Sequence, residues 1–160
     1  MSNINLMSLL KQHPQAVAQI KGSPLYPRIS GSVAFYAVNS GTVVFSQIYN
    51  LPSCDNKCES PVLGFHIHSG TGCTGNSTDY FEDAMAHYNP GNCLHPHHAG
   101  DMPPLFSAGG TALSAFLTDR FTIREIIGKT VIIHSKADDF TTQPSGNSGE
   151  KIACGVIRLV

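Results

Sequence analysis

Eight short runs of alternating or β-branched residues, each closed by Gly, Pro, Asn, Asp or Ser, confine this chain to an antiparallel all-β fold. They cover residues 16–22, 29–37, 43–48, 62–68, 105–107, 111–118, 129–135 and 152–159. None is long enough for a helix-dominated core. Fifteen glycines and ten prolines supply the turns such a fold needs. Eight strands predict a Greek-key barrel or sandwich, and 160 residues without a composition shift predict a single domain over 1–160. The amphipathic segment NLMSLLKQH suits a short helix or a partner surface, but residues 1–14 are expected to form a flexible N-terminal extension.

Two stretches break the strand pattern. Residues 69–104 are dominated by Gly, Thr, Asn, Pro, His and Asp, and a structureless excursion of that length inside a compact domain is ordinarily functional. A second polar loop, KADDFTTQPSGNSGEK, precedes the last run. Seven of the eight histidines fall in or beside these loops or at strand ends next to them. His66 and His68 are two apart on a predicted strand, so they share one face. HPHHAGD at 95–101 adds three histidines and an aspartate, a donor set suited to zinc or copper.

Charged residues make up 13% of the chain and the net charge is −1, which disfavours nucleic acid as a partner. No 18-residue apolar stretch predicts a membrane span. The opening residues show no signal-peptide pattern, which favours the cytoplasm. Five cysteines instead favour an oxidising compartment, reached by a leader removed before this numbering. The odd count leaves at least one of Cys54, Cys58, Cys73, Cys93 and Cys154 without an intramolecular partner.

The ordered set HIH, HYNP (87–90), HPHHAGD, HSKADD (134–139) and GNSGEKIACGVI (146–157) resembles the copper/zinc superoxide dismutase family. The resemblance spans Gly64 to Ile157. It implies an enzyme that converts superoxide to dioxygen and hydrogen peroxide with copper and zinc as cofactors. By matching positions, His66, His68, His87 and His134 would bind copper. His87, His95, His98 and Asp101 would bind zinc, with His97 as the alternative to His95. His87 would bridge the metals and act as general acid. Asp138 would accept hydrogen bonds from a copper ligand and a zinc ligand. Cys73 and Cys154 would form the disulfide, while Cys54, Cys58 and Cys93 have no counterpart; a second disulfide involving Cys93, or plain thiols, is expected of them rather than a small zinc or redox site.

The chain departs from the family in four places. Lys151 stands where the family has an anion-guiding arginine; it keeps the charge but loses the planar fork, so a reduced rate is expected. The loop between Asp139 and Lys151 contains no lysine or arginine. His95 and His98 are only three apart, where the family carries a longer insertion. The stretch from Cys73 to His87 is longer than usual, and its Asp79, Glu82 and Asp83 are expected on a solvated helical turn. These departures keep a second reading open, a dismutase-like copper- and zinc-binding protein with little turnover. Strand faces alone leave oligomeric state open, a homodimer among the options.

Overall fold

The computed structural model describes residues 4–53 and 61–160. Among these residues nine strands form, in chain order β1 (Ala16–Gly22), β2 (Ser30–Val38), β3 (Gly41–Tyr49), β4 (Val62–Leu63), β5 (Phe65–His68), β6 (Leu105–Phe106), β7 (Ala112–Thr118), β8 (Thr130–His134) and β9 (Lys151–Leu159). Seven of them make one curled antiparallel sheet in the order β5-β8-β9-β1-β2-β3-β7, and β4 pairs with β6 in a two-stranded ribbon. The all-β antiparallel architecture expected from the strand pattern is the one observed.

The single run at 62–68 is divided at Gly64, which sends its two halves into different sheets. The Gly64 amide bonds to the Lys136 carbonyl (2.7 Å) and its own carbonyl accepts the His134 amide (2.8 Å). A Cβ at Gly64 would lie 2.9 Å from the Ser148 side chain, so only glycine lets the 136–148 loop approach this closely.

Inside the curl, one apolar cluster joins Phe35, Val33, Val44, Ile48, Phe65, Ile67, Leu105, Val131, Ile133 and Ile157. Removing this surface from water is the main force holding the sheet closed. β2 is buried on both faces from Val33 to Tyr36. The reason lies at the N-terminus. A one-turn helix, α1 (Leu6–Leu9), is capped by Asn5, whose side chain accepts the Ser8 amide at 3.0 Å. Leu9 and Leu10 pack onto Ala34, Tyr36 and Val43 on the outer face. Within the segment expected to be a flexible extension, Leu9 and Leu10 thus cover part of the sheet's outer face.

A second helix, α2 (Ile123–Ile126), was not predicted. The Glu125 carboxylate accepts both the amide and the hydroxyl of Thr122 (2.7 Å each), and Ile123 and Ile126 enter the core. The T-x-x-E spacing is the sequence signal that marks it.

Candidate metal centre

β5 alternates between two environments. Phe65 and Ile67 point into the core, while His66 and His68 point to the opposite face, where the long excursion covers them completely. That excursion runs back along the strand. The Ile67 amide bonds to the Gly100 carbonyl (2.9 Å), the Tyr88 amide to the Ile67 carbonyl (2.8 Å), and the Ser69 amide to the Ala86 carbonyl (2.8 Å). A Cβ at Gly100 would meet the Ile67 carbonyl oxygen at 2.2 Å, so this close approach requires glycine. Isolated bridges set His87 opposite His68 and Asp101 opposite His66. His134 arrives from the end of β8, where the pairing with β9 shifts register.

Two four-residue groups result, each with donor atoms within 4.8 Å of one another: His66, His68, His87 and His134, and His87, His95, His98 and Asp101. His87 belongs to both. Its Nδ1 lies 2.7 Å from Asp101 Oδ1 and 3.4 Å from His98 Nδ1. His95 Nδ1 and His98 Nδ1 lie 3.0 and 3.3 Å from Asp101 Oδ2. In the other group, His68 Nε2 and His134 Nε2 are 3.3 Å apart. His66 Nδ1 and His87 Nε2 are buried without a hydrogen-bond partner among the described residues, and so is His95 Nδ1, whose 3.0 Å approach to Asp101 Oδ2 is not aligned as a hydrogen bond. Buried ring nitrogens left in that condition are costly unless something fills the space between them. The donor sets suit metal ions: four imidazoles in one group, three imidazoles and a carboxylate in the other.

Asp138 joins the groups from behind. Its Oδ2 accepts His66 Nε2 (2.7 Å) and its Oδ1 accepts His95 Nε2 (2.8 Å) and the Phe140 amide (2.7 Å). These bonds turn the other nitrogen of each ring toward the donor clusters and fix both tautomers. Burial pushes the Asp138 carboxyl upward, but the hydrogen bonds from His66, Phe140 and His95 outweigh it and hold the group well below the usual carboxylate range. The same balance lowers Asp101, where the bond from His87 leads. Burial lowers His66, His68 and His98, assisted by neighbouring rings. His134 is pushed down to about 3, by burial first and then by the nearby His66. Such rings stay neutral and keep their lone pairs available at ordinary pH.

Between the two candidates of the compressed HPHHAGD run, the structure turns His95 inward and leaves His97 exposed. Two residues invisible to sequence reasoning enforce this. Gln143 clasps the His95 backbone, its Oε1 accepting the amide (3.0 Å) and its Nε2 donating to the carbonyl (2.8 Å). Arg120 Nη1 gathers the carbonyls of Pro96 (3.0 Å), His98 (3.4 Å) and Asp101 (3.3 Å). Only long-range contact defines either role; no local spacing announces it.

The group of four histidines opens onto a cavity of about 620 Å³ lined by His68, His87, His134, Asp79, Glu150 and Lys151, among others. Lys151 is held there by Asp79 Oδ2 (2.6 Å) and the Phe81 carbonyl (3.1 Å). Glu82 and Asp83 occupy an exposed 3-10 turn as expected, but Asp79 does not belong with them: it is the partner of Lys151. A disulfide joins Cys73 to Cys154, with Cα atoms 5.7 Å apart. Cys93 is exposed and has no disulfide partner among the described residues. Cys54 and Cys58 lie outside them. No helix of the described residues is long and apolar enough to cross a membrane.

Comparison with known proteins places these observations in a family. A family model described as copper/zinc superoxide dismutase (SODC) matches residues 29–157. The chain is similar to the superoxide dismutase (Cu-Zn) of Legionella pneumophila, with 30% identity covering 98% of each chain. It is also similar to superoxide dismutase (Cu-Zn) 2 of Aquifex aeolicus, with 32% identity over 81% of this chain and 80% of the relative. Among solved structures, a SOD-like protein from Bacillus subtilis superposes with a TM-score of 0.71 at 28% identity, covering 88% of this chain and 96% of that one.

Proposed function

Because the chain belongs to the copper/zinc superoxide dismutase family, we propose that it disproportionates superoxide into dioxygen and hydrogen peroxide. His66, His68, His87 and His134 would hold copper, and His87, His95, His98 and Asp101 would hold zinc. The observation that carries this reading is the pair of donor groups sharing His87, with unpartnered buried nitrogens on His66, His87 and His95. Copper, when bound, supplies the one-electron exchange with superoxide, and zinc supplies a redox-silent positive charge.

The remaining work falls to side chains. Peroxide formation consumes protons, and His87 Nε2, a buried atom of a residue that lines the cavity, is the atom that can hold one and pass it to the departing product. Its other nitrogen is oriented by Asp101. Asp138 keeps His66 and His95 in fixed tautomers, so both donor groups stay aligned through turnover. Lys151, on the cavity wall, is the positive charge that a small anion meets on the way in.

The decisive experiment loads the protein with copper and zinc, counts metal per chain and compares superoxide removal with a His134→Ala variant. A loaded wild type no faster than that variant, or than free copper, would end the enzyme reading. The second reading, a metal-binding relative with little turnover, is favoured by one observation: the Lys151 charge is paired with Asp79. Stoichiometric metal with background activity is the result it requires.

A further inference from the structure

The reading of the cavity as the superoxide site, on which this inference rests, gives no role to Asp79 on its wall. We propose that Asp79 restrains Lys151, and thereby sets how strongly the cavity attracts small anions.

Lys151 opens β9 and pairs in register with His134 on β8. Its ammonium therefore sits on the wall of the same cavity as His134 and His68. Of its three N–H donors, one goes to Asp79 Oδ2 (2.6 Å) and one to the Phe81 carbonyl (3.1 Å). Both acceptors belong to the loop that follows Cys73, so the ammonium is held against that loop at the cavity wall.

The pair is fixed, unlike most exposed salt bridges. The Lys151 side chain is 16% exposed and that of Asp79 38%. Asp79 Oδ1 accepts the Phe81 amide (3.0 Å), and the Asp79 amide donates to Asn76 Oδ1 (3.0 Å). Phe81 is buried with Ile132 and Cys154, and the Cys73–Cys154 disulfide ties the start of the loop to β9. Asp79 is thus positioned by packing on the same strand that carries Lys151. Among the side chains on the cavity wall two carboxylates, Asp79 and Glu150, stand against one ammonium, so the pull of Lys151 on an approaching anion is offset. Asp79 is a positioning residue: it acts on the anion through Lys151.

The test uses Asp79→Asn, Asp79→Glu and the double variant Asp79→Asn/Lys151→Gln. Azide is titrated optically into the copper- and zinc-loaded proteins. Asp79→Asn is expected to bind azide about three- to tenfold more tightly, because the charge of Lys151 is retained and its neutralising partner removed. The gain should shrink with added salt. Asp79→Glu should stay near wild type and the double variant should lose the gain. A readout independent of metal is the acylation of Lys151 by a sulfonated N-hydroxysuccinimide acetate, followed by mass spectrometry against exposed Lys21 in the same metal-free sample. Asp79→Asn should speed it by about threefold, the scale of a released ion pair. Unchanged or weaker azide binding, a gain that survives in the double variant, or unaltered labelling would each overturn the proposal. Failure of the wild type to remove superoxide would instead overturn the catalytic reading, while the labelling result would still decide whether Asp79 restrains Lys151.

Discussion

Asp138 shows how one carboxylate can govern two donor groups it does not belong to. Among the described residues, its bonds to His66 and His95 are the only partners those rings have on their Nε2 side. Asp138→Ala should therefore release metal about 10- to 100-fold more readily in a chelator competition, while equal retention would remove it from this role. Gly146 enforces the arrangement: its φ is +66°, and a Cβ there would lie 2.0 Å from Asp138 Oδ1. The histidines and Asp138 were legible in the sequence because each falls at a fixed offset within a short motif. The choice between His95 and His97 was not, since the selecting contact from Gln143 comes from 48 residues away. His97→Ala should leave zinc content unchanged, and Gln143→Ala should lower it, both read by metal analysis after dialysis against a weak chelator. Zinc lost on His97→Ala would contradict the inward placement of His95.

At the level of elements, alternation disclosed the strands but not their interruptions. The run at 62–68 looked continuous because a single glycine inside a strand pattern is tolerated locally; the crowding that divides it comes from Ser148. The double-sided burial of β2 was hidden in the same way, by a cover supplied from Leu9 and Leu10. The 69–104 excursion, by contrast, stands out by its length, and it carries His87, His95, His98 and Asp101 of the donor groups. Its anchor is the disulfide, whose cysteines are 81 residues apart. Cross-linking so long a loop restricts the unfolded chain, and Cys73→Ser/Cys154→Ser should lower stability by about 4 to 5 kcal/mol. Chemical denaturation of the metal-free variant against the oxidised wild type measures it. A loss under ~1 kcal/mol would mean the unfolded chain gains little freedom when the bond is removed.

For the molecule as a whole, the buried rings link stability to pH. His66, His68, His98 and His134 all have lowered pKa values, that of His134 down to about 3, so below 6.5 the unfolded chain binds protons that the folded chain refuses. Stability is then full above pH 6.5 and falls as the solution is acidified. The thermal midpoint of the metal-free protein should drop steadily from pH 7 toward 4; a flat profile would show that the rings open to water without metal. Added zinc should raise the midpoint by mass action on the folded state. The pairing of β5 with β8 ties all this to one alignment. Phe65 and His66 sit opposite Ile133 and Ile132, and successive residues of β5 serve the core and the donor groups in turn. A slip of one residue would bury imidazoles in the core and aim Phe65 and Ile67 at the donor groups. On the proposed function, metal uptake would then report the pairing frame, because only chains paired in the right frame assemble both donor groups.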